Sequence, residues 1–277
     1  MQKIGFSLQS EYALPISDII PLLKQAGFDA ISPVWSKSLD LHLLNKLASE
    51  NNMVIQSLHA PHKGVELLWK PELSESAEII NGVMSCIDAC EQFSIPVMVL
   101  HSWSGLFYTF PSEPLNFSFF DNMVEHAKQK GVSVALENLE GEEYLEALMN
   151  RYKNEKHVGF CFDTGHDFCY PHNTDFLAAY GDRLIMTHIN DNLGLRSAEG
   201  VPSGVDDLHY LPFDGKIDWQ STIEKLKDKP KQQILNFEFK TRSHSTEKTD
   251  LIYDNMPLTE FIKLAGIKAQ KIAKIYK

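Results

Sequence analysis

The sequence predicts an α/β chain wound into a (β/α)8, or TIM, barrel, and three observations carry that prediction. Eight short apolar runs recur along the chain, stretches long enough for an amphipathic helix separate most of them, and six of the eight hold a carboxylate or imidazole near their C-terminal end. Strands alternating with helices imply a parallel sheet. Eight such units in 277 residues match a closed barrel of about 250 residues, whose sites form where strands end and βα loops begin.

Taken in order, the runs are KIGFSLQ, FDAISPVW, VIQSLHAP, VMVLHSW, VSVALEN, VGFCFDTGH, LIMTHINDN and QILNFEF. They are apolar with little alternation, as expected of strands covered on both faces. The first helix is read in SDIIPLLKQAG, with Ser17 as its cap, Pro21 near its first turn and Gly27 in the left-handed position after its end. A longer one lies in SAEIINGVMSCIDACEQF, and Gly131 ends FFDNMVEHAKQK as Gly27 ends the first. The final segment, LTEFIKLAGIKAQKIAKIYK, suits either a cover for the barrel or a contact in a homo-oligomer.

Residues 1–277 read as a single domain with no linker. No apolar run approaches the roughly 20 residues of a membrane span, and MQKIGFSLQS lacks the layout of a signal peptide. A cytoplasmic protein without a membrane partner is expected. Cysteines 86, 90, 161 and 169 form no CxxC pair and read as structural. The net charge of −11 is uneven: 13 basic against 29 acidic residues through position 215 give −16, and 13 against 8 beyond it give +5. Lys268, Lys271 and Lys274 recur every three residues and read as a solvated helix face.

The chemistry concentrates at the strand ends. His59, His101, Glu137, Asp163, His166, His188 and Glu238 follow or close the later runs, and Asp207 and His209 lie in the loop DDLHYLPFDGKIDW. Nine carboxylate and imidazole groups converging on one barrel mouth would repel and desolvate one another unless cations compensate them. A bound divalent metal is the simplest source of that charge.

These motifs, in this order, resemble the xylose-isomerase-like TIM barrel superfamily: sugar and sugar-phosphate isomerases and epimerases, inositol-catabolism enzymes, and the endonuclease IV class of DNA repair enzymes (AP endonuclease family 2). The carriers are LKQAGFDAI, LHAP, ALEN, CFDTGH, THINDN, DLHYLPFDGKIDW and the late FEF, spread from about residue 3 to residue 265. The resemblance implies one catalytic metal held by Glu137, Asp163, His188 and Glu238. Two departures bear on the substrate. Ser32, followed by Trp35, stands where many members end the second strand with a carboxylate, and Arg196 lies eight residues past His188, where many epimerases place a nearer Arg.

The reading that follows is a metal-dependent isomerase or epimerase of a ketose, ketose phosphate or inositol derivative. The metal, Mn2+ or Zn2+ ahead of Mg2+ or Co2+, would chelate the substrate carbonyl and a neighbouring hydroxyl and stabilise an enediolate. Glu137 and Glu238 would pass the proton between them. His59 and His166 would orient substrate oxygens, with His101, Asp207 and His209 as further metal or substrate contacts. Arg196 would bind substrate, and Trp103, Phe107 and Tyr108 would wall the pocket. The resemblance keeps two alternatives open: a phosphodiesterase of the endonuclease IV type holding up to three Zn2+ on the nine groups, and an inosose-type dehydratase. The acidic first 215 residues argue against a nucleic-acid partner.

Overall fold

Nine parallel strand segments form the eight staves of a closed barrel, in a computed structural model that describes residues 1–8, 12, 14–197, 199–240, 252–253 and 255–277. Gln9, the last residue of the first expected run, lies outside the described residues. The segments are β1 (Lys3–Leu8), β2 (Ala30–Pro33), β3 (Val54–Ile55), β4 (Ser57–His59), β5 (Val97–His101), β6 (Ser133–Glu137), β7 (Val158–Asp163), β8 (Leu184–His188) and β9 (Ile234–Phe237). They pair in the orders β3-β2-β1-β9 and β4-β5-β6-β7-β8. Bridges between Val34 and His59 and between Ile189 and Phe237 join the two ladders, and β3 and β4 are one stave interrupted at Gln56. The fold is the expected TIM barrel.

Gln56, at that interruption, also bonds to a distant stave. Its amide Nε2 donates to the carbonyl of Ile234, 3.3 Å away on another stave. Gly5 makes room for this crossing, since a Cβ there would stand 2.8 Å from both Gln56 Oε1 and Asn236 Oδ1.

The helices are α1 (Ile16–Gln25), α2 (Leu41–Glu50), α3 (Ala77–Gln92), α4 (Ser118–Gln129), α5 (Glu142–Arg151), α6 (Thr164–Cys169), α7 (Phe176–Tyr180), α8 (Trp219–Lys227) and α9 (Leu258–Tyr276). Gly27 and Gly131 do take left-handed backbone angles, with φ of 93° and 69°. Ser17 does not cap α1. Pro15 holds that position without a side-chain bond, and Ser17 Oγ lies 3.4 Å from Asp18 Oδ1 instead. Pro21 is inside the helix, so α1 lacks the amide that would reach the Ser17 carbonyl.

The C-terminal segment covers the barrel. Phe261, Ile262, Ala265, Ala269, Ile272 and Tyr276 are buried on one side of α9, which packs on α1, α8 and β1. Gly266 allows the close approach: a Cβ there would meet the Ala26 carbonyl at 2.2 Å. The expected solvated lysine face holds in part: Lys271 and Lys274 are exposed, but two of the three lysines also find partners. Lys268 pairs with Asp214, and Lys271 sits 3.7 Å over the ring of Phe213. Cationic side chains thereby tie α9 to the loop before α8. All four cysteines are free and buried. No helix among the described residues is long and apolar enough to cross a membrane.

Asp191 anchors the loop that carries Asp207 and His209. Fully buried, it accepts from the backbone N–H groups of Asn192 (2.8 Å), Phe213 (2.8 Å) and Ile217 (3.1 Å) and from the Trp219 indole (2.8 Å). Its own backbone pairs in both directions with Tyr210, at 2.7 and 2.8 Å. Removing such an acceptor strands several buried donors. Asp191→Ala is therefore expected to lower unfolding stability by about 3 kcal/mol or more. Urea denaturation checks this, and a loss below about 1 kcal/mol would contradict the anchoring role.

Candidate metal centre

Parallel register decides which side chains share the barrel mouth. His101 on β5 is level with Glu137 on β6, Glu137 is level with Cys161 on β7, and Asp163 is level with His188 on β8. Two residues earlier on each of these strands, Val99, Ala135, Cys161 and Met186 point to the same side. They pack into a small apolar plug, which gives the polar groups a dry floor. Burial pushes the Cys161 thiol up to about 12.

Glu137 is the hub. It is fully buried; its Oε2 faces His59 Nε2 at 3.3 Å and His101 Nε2 at 3.5 Å, and its Oε1 faces His188 Nδ1 at 3.0 Å and His166 Nδ1 at 3.3 Å. Glu238, just beyond β9, brings Oε2 to 2.9 Å from the same His188 Nδ1. Asp163 completes this set, and the ligand atoms of Glu137, Asp163, His188 and Glu238 lie within 4.8 Å of one another. The same criterion gathers His59, His101 and Glu137, then Glu137, Cys161 and His188, then His166, Asp207 and His209. All nine expected groups are thus brought together: the other clusters share Glu137, and the His166, Asp207 and His209 cluster adjoins it through His166, whose Nδ1 lies 3.3 Å from Glu137 Oε1.

Three histidines are oriented by the backbone. The Nδ1 atoms of His59, His166 and His209 lie 2.7, 3.1 and 3.3 Å from the carbonyls of Ala60, Asn138 and Glu238. Donating there leaves each Nε2 with a lone pair for the site. His209 holds this pose at a left-handed φ of 49°, a backbone state tolerated by few residues other than glycine, His among them.

Asp163 is held from two sides. The side chain of Asn190 donates to both carboxylate oxygens, at 3.1 and 2.9 Å, and the His166 amide donates to Oδ1 at 2.8 Å. Asn138 clamps the Asp163 backbone, with 2.8 Å bonds to its N–H and its carbonyl. Gly165 explains the glycine of DTGH: a Cβ there would fall 1.8 Å from Asn190 Oδ1.

The donor set fits a divalent cation. Glu137 Oε1 and Oε2, His188 Nδ1 and Asp207 Oδ1 are buried without a hydrogen-bond partner, although each points at other ligand-type atoms. Mixed carboxylate and imidazole ligation suits first-row divalent ions. The electrostatics agree. Burial pushes the Glu137 and Glu238 carboxyls up, but the surrounding histidines, His188 foremost, with His101 and His166 on Glu137 and His209 on Glu238, together hold both well below the usual carboxylate range. Burial raises Asp163. On His188, burial is opposed by the neighbouring Cys161, Glu137 and Glu238, which raise it well above an ordinary imidazole. A protonated imidazole does here what a metal does better: it offsets buried carboxylates.

Several side chains expected at the substrate have partners within the protein. Arg196 is tied within its own loop, Nε lying 3.3 Å from Asp206 Oδ1 and the guanidinium donating to the Val205 carbonyl at 2.7 Å. Phe107 is 81% exposed. Trp103 stacks on Tyr144, with ring centroids 4.1 Å apart, and Tyr108 bonds Glu143, so both are engaged with α5. Loop rotamers and pairings of this kind have no signature in the strand pattern.

The sequence reading missed His62 and Lys240. The His62 ring lies 6.2 Å from His59 and 6.0 Å from His101, and burial followed by the charge of His101 lowers it to about 4. Lys240 Nζ lies 3.2 Å from Asp207 Oδ2. Each had a local signal: His62 is three residues past His59, and Lys240 is two past Glu238, on the same side of an extended chain.

Eight parallel staves with carboxylates and imidazoles gathered at their ends define a class, the TIM barrels, here with a candidate metal site. The chain belongs to the xylose isomerase-like TIM barrel family, whose model matches residues 20–257. A relative in Sinorhizobium fredii, the uncharacterized protein y4fM, is 37% identical over 133 residues, covering 46% of this chain and 39% of that protein. The chain spans less than two thirds of the length of the curated relatives it matches. Among solved structures it is similar to D-psicose 3-epimerase from Clostridium cellulolyticum H10, with D-tagatose (TM-score 0.70, 13% identity, 99% of each chain). It is also similar to the IOLI protein with a binding zinc atom (TM-score 0.69, 18% identity, 99% of this chain and 98% of that one). At these identities the likeness concerns the fold.

Removing a ligand and removing its support should differ in degree. Asp163→Ala is expected to abolish zinc binding at the four-residue set, and Asn190→Ala to weaken it by about 10- to 100-fold. Chelator competition measures both, and full affinity in either variant would contradict the assignment.

Proposed function

We propose that the protein is a divalent-metal-dependent isomerase or epimerase of a small polyhydroxylated carbonyl compound: a ketose, a ketose phosphate or an inositol-derived ketone. The observation that carries this reading is the convergence of two glutamates from distant staves on one imidazole, Glu137 at 3.0 Å and Glu238 at 2.9 Å from His188 Nδ1. Membership of the xylose isomerase-like family supports it. So do the names of the similar structures, which include a D-psicose 3-epimerase and an L-ribulose 3-epimerase.

Glu137, Asp163, His188 and Glu238 would hold the ion, with Mn2+ or Zn2+ favoured. When bound it supplies Lewis acidity, lowering the cost of negative charge on a substrate carbonyl and its neighbouring oxygen. The proton chemistry belongs to the protein. One glutamate takes the proton from the carbon beside the carbonyl, and the other returns a proton from the opposite side, which inverts the centre. His59 and His166, fixed through Nδ1, present Nε2 to substrate hydroxyls. The apolar plug beneath the site keeps bulk water from below.

A second reading rests on a specific observation: leaving aside the group that includes Cys161, Glu137 belongs to two clusters, and a third, His166, Asp207 and His209, stands beside them. That is the donor inventory of a three-metal phosphodiesterase. In that arrangement both Glu137 oxygens are committed to ligation, which removes it from acid/base work. The −16 charge of the first 215 residues opposes a polyanionic duplex. A dehydratase would use the same site and is separated by product mass.

Two outcomes are expected. A metal-loaded Glu238→Gln enzyme should lose about 10²- to 10⁴-fold in turnover of the best ketose while keeping its metal; wild-type speed would refute the acid/base assignment. The wild-type protein should not nick an abasic-site plasmid at physiological salt, and efficient metal-dependent nicking would transfer the assignment to the second reading.

A further inference from the structure

The third cluster has a feature the other two lack: a fixed cation already sits on it. Lys240 Nζ lies 3.2 Å from Asp207 Oδ2, the same oxygen that faces His209 Nε2 at 2.8 Å. Both side chains are largely shielded, Lys240 at 19% and Asp207 at 14% exposure. The ammonium is brought there by the backbone. Lys240 follows Glu238 by two residues, so their side chains share a side of the extended chain, while Phe239 between them is fully buried among Phe6 and Phe237. The Lys240 amide also donates to the His209 carbonyl at 3.2 Å, which couples its position to the loop carrying the other two groups.

We propose that Lys240 is a built-in substitute for a metal at the His166, Asp207 and His209 cluster, and that it restricts this barrel to fewer ions than its nine ligand groups can hold. An ammonium and a divalent ion compete for the same carboxylate. At ion-pair distances, in a site shielded from water, their mutual repulsion is large. The lysine is attached to the chain, so its local concentration at Asp207 is fixed, and no ion has to be recruited to balance that carboxylate. Asp207 Oδ1 still points toward His166 Nε2 at 3.6 Å. The vacancy that opens when the ammonium is removed is therefore already furnished with donors.

The inference rests on the reading that the central four-ligand set holds the working ion, and it explains how a complete nine-group inventory is compatible with a sugar-type reaction. Charge at the third cluster is then met by protein. The substrate consequently encounters an ammonium, with its three donors, where a three-metal enzyme would present an electrophilic ion.

Zinc counting tests the proposal without reference to turnover. Chelator-stripped wild-type protein, Lys240→Met and Lys240→Arg are dialysed against a zinc buffer, and zinc per chain is measured by elemental analysis. Lys240→Met is expected to bind one more ion than the wild type, and Lys240→Arg the same number as the wild type. In the wild-type background, His209→Asn, which suits the left-handed backbone, should leave the count unchanged; with Lys240→Met it should remove the added ion. Equal counts in wild type and Lys240→Met overturn the proposal. So does loss of one ion from the wild type on His209→Asn, an arm that needs no lysine variant to fold. If the ketose panel shows no turnover, the isomerase reading fails while these counts still decide the role of Lys240.

Discussion

The structure turns on one buried carboxylate. Glu137 has no exposed surface and four imidazoles around it, and neither oxygen has a hydrogen-bond partner. A charge placed there is tolerable only if positive charge comes to it. Asp163 and Glu238 deepen the need, since they share the same dry mouth. The parallel register of β5 to β8, the apolar plug beneath and the Asn138 and Asn190 clamps all serve to hold these groups close against their own repulsion. That cost in stability makes functional sense as preparation for a cation.

The loop from Ser203 to Asp218 is a second level of the same design. Asp191 ties it to the end of β8, and Gly215 lets it pass within 2.4 Å of where a side chain would strike the Asn192 carbonyl. Asp214 and Phe213 then take Lys268 and Lys271 from α9. The position of Asp207 and His209 is thus linked through the loop to the last helix. Substitutions at the α9 contact are in this way connected to the site without touching it.

Much of this was legible in the sequence because a parallel barrel places function at a fixed point of each repeat. His59, His101, Glu137, Asp163, His188 and Glu238 were found by asking what ends each apolar run, and Gly27 and Gly131 by what ends a helix. The break at Gln56 and its side-chain bond to Ile234 on another stave left no mark in the apolar run. Ser17 looked like a cap, yet the chain enters α1 two residues earlier, at Pro15. The pairing of Arg196 with Asp206 and the exposure of Phe107 were not legible, because both residues lie in loops, where partners rather than periodicity decide direction. Lys240 was within reach by simple alternation from Glu238, but its pairing with Asp207 required the loop to be folded back.

The most direct test of the account is anomalous diffraction from crystals of the zinc-loaded protein, recorded on both sides of the zinc edge. The account predicts an ion with ligand distances of about 2.0–2.2 Å to Glu137, Asp163, His188 and Glu238 together. A zinc-loaded crystal with no anomalous peak at those four residues, or with zinc bound only elsewhere on the chain, would contradict it.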